Sequence, residues 1–124
     1  MRGFTLIEIM VVVVIIGLLA SFGGYHVIRA HQDAERRIAR AKCKELYDQA
    51  YLWRMEKQRL PASLEEMAAP IRPGERDFVQ LSPDPWGNAF ALERDGADVR
   101  VRSHGPDGEE DTDDDLFWPP EERE

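Results

Sequence analysis

Residues 4–22, FTLIEIMVVVVIIGLLASF, form an apolar run broken by one acid, Glu8. A run of about 20 apolar residues is long enough to cross the hydrocarbon core of a bilayer as a helix. A chain that begins this way must give that surface to lipid, and its fold is then a membrane helix plus whatever the remainder can bury. A carboxylate near the start of such a segment is costly in hydrocarbon, which makes Glu8 a functional candidate. The rival reading is a cleaved secretory signal. Against it, no polar region with a small-x-small cleavage site precedes a separate mature domain, and the helical pattern runs on past Ala20 and Ser21. The segment therefore reads as a retained anchor.

The remaining residues, about 100, suit one small domain with little room for a buried enzyme cleft. Net charge is −8, unevenly spread: residues 26–59 carry nine Lys/Arg against five Asp/Glu, and residues 60–124 carry six against eighteen. A basic helix joined to an acidic head favours stacking of copies. Nucleic-acid binding is not expected, because Arg29, Arg36, Arg37, Arg40, Lys42 and Lys44 are interleaved with acids and the head would repel phosphate. Cys43 is the one cysteine, so no intrachain disulfide can form, and its helical position suits a small packed side chain.

From Tyr25 to Lys57 there is neither Pro nor Gly. Ala39, Cys43, Leu46, Ala50 and Trp53 recur at helical spacing and predict one buried stripe, widened by Tyr47 and Tyr51. The anchor and this segment predict one helix of about 50 residues, roughly 75 Å long. Gly17, Gly23 and Gly24 lower helix propensity near the membrane exit. Leu60-Pro61 is expected to end the helix. Ser63 and Glu66 have the spacing of a capping box and predict a short helix to about Ala69. Residues 70–77 read as loop and residues 78–81 as a brief extended segment. Asp84-Pro-Trp-Gly-Asn88 is a strong turn signal. Residues 89–93 and 97–102 predict a hairpin around Asp95-Gly96. The expected core comprises Trp53, Leu64, Met67, Phe78, Leu81, Trp86, Phe90, Leu92, Val99, Val101 and Trp118.

Residues 107–115, DGEEDTDDD, carry seven acids and no base. Composition alone leaves two readings open: a solvated acidic loop, or a loop closed by a hard divalent ion with oxygen ligands. An EF-hand is excluded, because Leu116 stands where its turn needs Gly and Pro119-Pro120 breaks any following helix. No catalytic constellation is present. His26 and His31 are five apart on a helix, His104 is alone, and the pairs Glu65/Glu66 and Glu109/Glu110 lack a cleft.

The order Gly3, Phe4, Thr5, Leu6, Ile7, Glu8 resembles the signal of type IV pilins and type II secretion pseudopilins. The sequence DPWGN at residues 84–88, a hairpin, Gly105-Pro-Asp-Gly108, then Asp114-Asp115-Leu116 and an aromatic resembles the major pseudopilins of type II secretion. The likeness runs from Gly3 to about Trp118. It implies an α+β, type IV pilin-like fold: a long N-terminal transmembrane and amphipathic helix packed on a small antiparallel β-sheet head with a C-terminal calcium loop. It also implies cleavage by prepilin peptidase between Gly3 and Phe4, N-methylation of Phe4, and pairing of Glu8 with the amine of a neighbouring subunit. In that family the loop after the last strand holds a structural Ca²⁺. Carried over, its ligands would be Asp107, Asp114 and Asp115, with backbone carbonyls near His104; Asp111 and Asp113 are further candidates. The departures are a three-residue leader, no Pro near Tyr25, and the Pro-Pro tail.

The expected organisation is a leader at 1–3, a transmembrane segment at 4–24, a periplasmic continuation of the helix at 25–59, a head at 60–118 and a disordered tail at 119–124. The expected function is a non-enzymatic subunit of a periplasmic pseudopilus anchored in the bacterial inner membrane. Its expected partners are copies of itself, minor pseudopilins, inner-membrane proteins of the secretion machine and prepilin peptidase. Two alternatives share parts of this pattern: a type IV pilus subunit for adhesion or motility, and a monomeric membrane-tethered calcium-binding domain.

Overall fold

The computed structural model describes residues 2–69, 73–74 and 79–120. The chain divides into two compact units, residues 1–34 and 35–124, and helix α1 (Leu6–Lys57) contributes to both.

In the first unit every described residue is exposed. Thr5 caps the helix: its hydroxyl accepts from the backbone N–H of Glu8 at 3.3 Å. The helix runs without a break through Gly17, Gly23 and Gly24. Ser21 donates its hydroxyl to the Gly17 carbonyl at 2.8 Å. By length and composition this helix can cross a membrane.

In the second unit the predicted stripe is the buried face of α1: Ala39, Cys43, Leu46, Ala50 and Trp53 are at most 2% exposed. Burial pushes the Cys43 thiol up to about 12, so it stays protonated and packs as a small hydrophobe. Tyr47 lies half-buried, its hydroxyl donating to Asp98 Oδ2 at 3.1 Å. Tyr51 departs from expectation and stands exposed, one turn further along. The helix stops before Pro61. Gln58 takes a left-handed conformation (φ 58°), and its N–H donates to the Arg54 carbonyl at 2.9 Å.

Helix α2 (Leu64–Ala68) follows the predicted cap. Ser63 Oγ accepts from Glu66 N, while Glu66 Oε2 accepts from Ala62 N at 2.7 Å, so the box closes one residue upstream of its usual partner. Arg59 donates to the other Glu66 oxygen. That bond and the Ala62 N–H hold the Glu66 carboxyl below its ordinary value. Leu64 and Met67 point into the core.

Among the described residues three antiparallel strands form one sheet in the order β1 (Ala91–Asp95), β2 (Asp98–Ser103), β3 (Leu116–Trp118). The β1–β2 register ends at Asp95–Asp98, leaving Gly96 (φ 63°) and Ala97 as a two-residue turn. Glycine supplies the positive φ such a turn needs. Val99 and Val101 face the core, and the alternating Arg100 and Arg102 take the other face. Both guanidinium groups lie over the Phe117 ring, at 5.5 and 5.1 Å from its centre.

The core joins the α1 stripe to Leu64, Met67, Val79, Phe90, Val99 and Val101, with Leu92 and Trp118 packed against it. Three further expectations need revision. Leu81 is 48% exposed, because residues 79–81 join no strand and Val79 takes the buried place. Trp86 is half-buried, its indole N–H donating to Glu35 Oε2 at 3.1 Å. The acidic segment precedes the last strand, since Leu116–Trp118 pairs with β2. Phe78, most of the 70–77 loop and the tail beyond Pro120 lie outside the described residues.

Candidate functional site

At the N-terminus residues 2–5 are not helical, Phe4 is 80% exposed, and no described atom crowds the space beside Gly3. Glu8 occupies the third position of α1, exposed, with its N–H already satisfied by Thr5. Its carboxylate lies at the positive end of the helix dipole. Thr5 was missed by the sequence reading. The signal was present, because Thr5 and Glu8 have capping-box spacing.

The second candidate region is built on Asp84, which is only 4% exposed. Its Oδ1 accepts from Trp86 N at 3.1 Å and Asn88 N at 2.8 Å, and its Oδ2 accepts from the Ser103 hydroxyl at 3.0 Å. Asp84 N also donates to the Asn88 carbonyl at 2.8 Å, closing the turn. The DPWGN segment is thus a carboxylate-centred turn bolted to the end of β2. Gly105 (φ 69°) then lets the chain pass the Asp114 backbone: a Cβ there would lie 2.3 Å from the Asp114 carbonyl oxygen. Gly108 packs beside the Asn88 amide in the same way, at 3.0 Å.

The acidic loop folds on itself. Asp107 Oδ1 accepts from Glu109 N at 3.1 Å, and Asp115 Oδ2 accepts from Asp111 N at 2.9 Å. Thr112 donates its hydroxyl to Asp115 Oδ1 at 3.2 Å, and Asp115 N donates to the Thr112 carbonyl at 3.2 Å. Asp111 is left-handed (φ 59°), a conformation aspartate tolerates. Among the described residues two arginines pair with acids of the loop. Arg36 pairs with Asp114 at 3.3 Å on the surface. Arg102, with a side chain only 10% exposed, pairs with Glu93 at 2.8 Å and Asp111 at 3.2 Å, and lies 3.9 Å from the Asp115 carboxylate.

Of the expected ligands, Asp115 is drawn inward, its side chain 1% exposed, while Asp107 and Asp113 stay exposed. Among the described residues no three acidic, His or Cys side chains converge as a metal-holding group. The donor set is all oxygen, as Ca²⁺ prefers. His104 is half-buried, with its Nδ1 enclosed and without a hydrogen-bond partner. The sequence reading missed Asp84 and Arg102. Asp84 was legible as a turn residue and not as an acceptor for Ser103.

Comparison with known proteins matches both halves of the chain. The model for "Type II secretion system (T2SS), protein G" covers residues 26–117, and that for the "Prokaryotic N-terminal methylation motif" covers residues 1–23. The chain is 34% identical to the type II secretion system core protein G of Dickeya chrysanthemi, over 93% of this chain and 84% of that protein. It is 34% identical to the Escherichia coli K12 counterpart, over 93% and 88%. The crystal structure of the major pseudopilin from the type 2 secretion system of enterohaemorrhagic Escherichia coli aligns with a TM-score of 0.63 at 24% identity. That alignment covers 73% of this chain and 91% of the other, and it shows the shared pilin-like fold. With an exposed apolar helix, a small three-stranded head and these relatives, the chain belongs to the type II secretion system protein G family, the major pseudopilins, and is a structural component rather than an enzyme.

Proposed function

We propose that this chain polymerises into the periplasmic pseudopilus through its N-terminal helix, with Glu8 fixing the register of each added subunit. The observation that carries this reading is the first unit. All its described residues are exposed, its helix is apolar over a membrane-spanning length, and its first turn holds one acid. Before assembly, lipid covers that surface, with residues 4–24 in the inner membrane and the head in the periplasm. After assembly, the same helices of neighbouring copies cover it. Cleavage by prepilin peptidase between Gly3 and Phe4 would leave the Phe4 amine, which is then methylated. The Glu8 carboxylate of one copy and that amine of the next would form a charge-assisted hydrogen bond, strong where water is excluded. Minor pseudopilins and the inner-membrane proteins of the machine are the expected partners at the filament's ends.

The test is Glu8→Leu in cells that form pseudopili. Membrane insertion is expected to persist and filament growth to stop; normal filaments from the variant would overturn the reading. Intact mass of the native protein checks the processing step, with loss of residues 1–3 and one added methyl expected.

Ca²⁺ is a separate part of the proposal. Asp107, Asp114 and Asp115 would hold it, supported by their oxygen donors, and the ion would supply charge neutralisation to a loop of seven acids. Binding to the folded head alone stabilises it by about 2.7 kcal/mol at a free ion concentration 100 times the Kd. Thermal unfolding with CaCl₂ and with EDTA measures this, and identical midpoints would remove the ion from the account.

A further inference from the structure

We propose that the heads of successive copies meet through one apolar contact: Leu52 and Met55 of α1 in one copy seat in the hollow beside Pro83 of the next. The inference rests on the polymerisation reading and names where its heads touch. Tyr51, Leu52 and Met55 are each more than half exposed, and spacings of three and four gather them into one patch. The patch faces away from the stripe that α1 buries against its own head, so this fold leaves it uncovered. The second surface lies on the head. The segment around Pro83 and Pro85 runs beside α1 and leaves a hollow of about 350 Å³, lined also by Ile38, Lys42 and Phe90. Ile38 is 61% exposed there, and Leu81 is open on the other side of the Ser82–Pro83 ridge. A helix rises about 1.5 Å per residue, so Leu52 lies roughly 20 Å along α1 from Ile38, too far for patch and hollow to meet within one copy. Copies anchored by the same helix run parallel, and an axial step between them brings the patch of one to the hollow of another. The rims match in charge. Asp48 and Glu56 stand one turn before and one turn after Leu52. At the hollow stands Lys42, paired within its own helix to Glu45. Patch and hollow are different surfaces, so the contact is heterologous: each copy offers one of each, and the series does not close on a pair. A filament needs that, and a symmetric dimer would not supply it.

Cysteine cross-linking in cells that form pseudopili tests it. Leu52→Cys and Ser82→Cys both replace exposed side chains, and the native Cys43 is buried and protonated, so it stays out of the reaction. A chain carrying both changes, treated with a short bis-maleimide, is expected to give a ladder of dimers, trimers and longer species. Either change alone is expected to give monomer, and the two single variants expressed together are expected to give dimer and nothing longer. Leu52→Glu sets a charge against an apolar seat and is expected to lower filament yield about ten-fold, with the melting midpoint of the purified chain unchanged. Leu52→Met is expected to keep both. Filaments from the double variant without a ladder would overturn this contact and leave polymerisation standing. So would a dimer from Leu52→Cys alone, which means a symmetric pair. Absence of filaments from the unaltered chain removes the polymerisation reading, and this contact with it. A ladder that persists when Glu8→Leu is added supports the contact and removes the role of Glu8.

Discussion

Replacing Asp84 tests whether one carboxylate joins the DPWGN turn to the sheet. Asp84 is 4% exposed and accepts from three donors: two turn amides on Oδ1 and the Ser103 hydroxyl on Oδ2. Ser103 is fully buried, so water cannot replace the lost acceptor there, whereas Trp86 and Asn88 are half-buried and their amides can be partly hydrated. Hydrogen bonds to a charged group contribute about 1.5–3 kcal/mol each, but three on one carboxylate do not add in full. Asp84→Ala should therefore cost about 3–5 kcal/mol, out of a typical domain stability of about 5–15 kcal/mol. For a head of this size, even 3 kcal/mol lowers the midpoint by about 12–24 °C. Asp84→Asn keeps the Oδ1 acceptor and offers an amide to a hydroxyl that can rotate to accept, so its cost should stay near 1–2 kcal/mol. Ser103→Ala completes a double-mutant cycle, in which a coupling of about 1 kcal/mol or more is expected. The assay is thermal and urea unfolding of the full chain in detergent, followed by near-ultraviolet circular dichroism of the tryptophans. An Asp84→Ala variant within about 1 kcal/mol of wild type would refute the reasoning, as would an asparagine variant as damaged as the alanine one.

Gly105→Ala should destabilise the head by more than about 2 kcal/mol, because the left-handed backbone costs a Cβ about 1–2 kcal/mol before it meets the Asp114 carbonyl. Gly108→Ala should cost less, since its Cβ meets the Asn88 side chain, which can move. Both are read from the same melts, and equal losses would contradict the difference in crowding. The lowered pKa of Glu66, due first to Arg59 and then to the Ala62 N–H, fixes a sign. Its stabilisation is present at neutral pH and is lost as pH falls through the folded value, below the ordinary carboxylate range. Wild type minus Glu66→Gln, measured from pH 7 downward, should therefore shrink toward zero in acid; a gap that widens would contradict the assignment.

Local pattern carried much of the fold. The α1 stripe, the Ser63 cap and the β1–β2 hairpin each depend on residues a few positions apart, and each was legible from spacing alone. The misreadings share a cause. Tyr51 lies beside the stripe, but whether it is covered depends on how far the hairpin reaches along α1. Leu81 looked like core because it is apolar, yet among the described residues 79–81 the buried place went to Val79. Strand β3 is three residues long, too short to show alternation, and exists only through its pairing with β2.

By itself the sequence determined a membrane-length apolar helix with one acid in its first turn, a helical stripe that must be buried, and a concentration of acids near the end of the chain. These follow from composition and period, which act over a turn or two. Tertiary structure decided what the acids do. Asp84 finds Ser103 across 19 residues, and Asp114 finds Arg36 across 78. Arg102, read in sequence as one polar position of an alternating strand, became the cation under the loop only when β3 brought the loop back across the sheet. Charge can be counted from a sequence. Which charge lies against which is set by the path of the backbone between them.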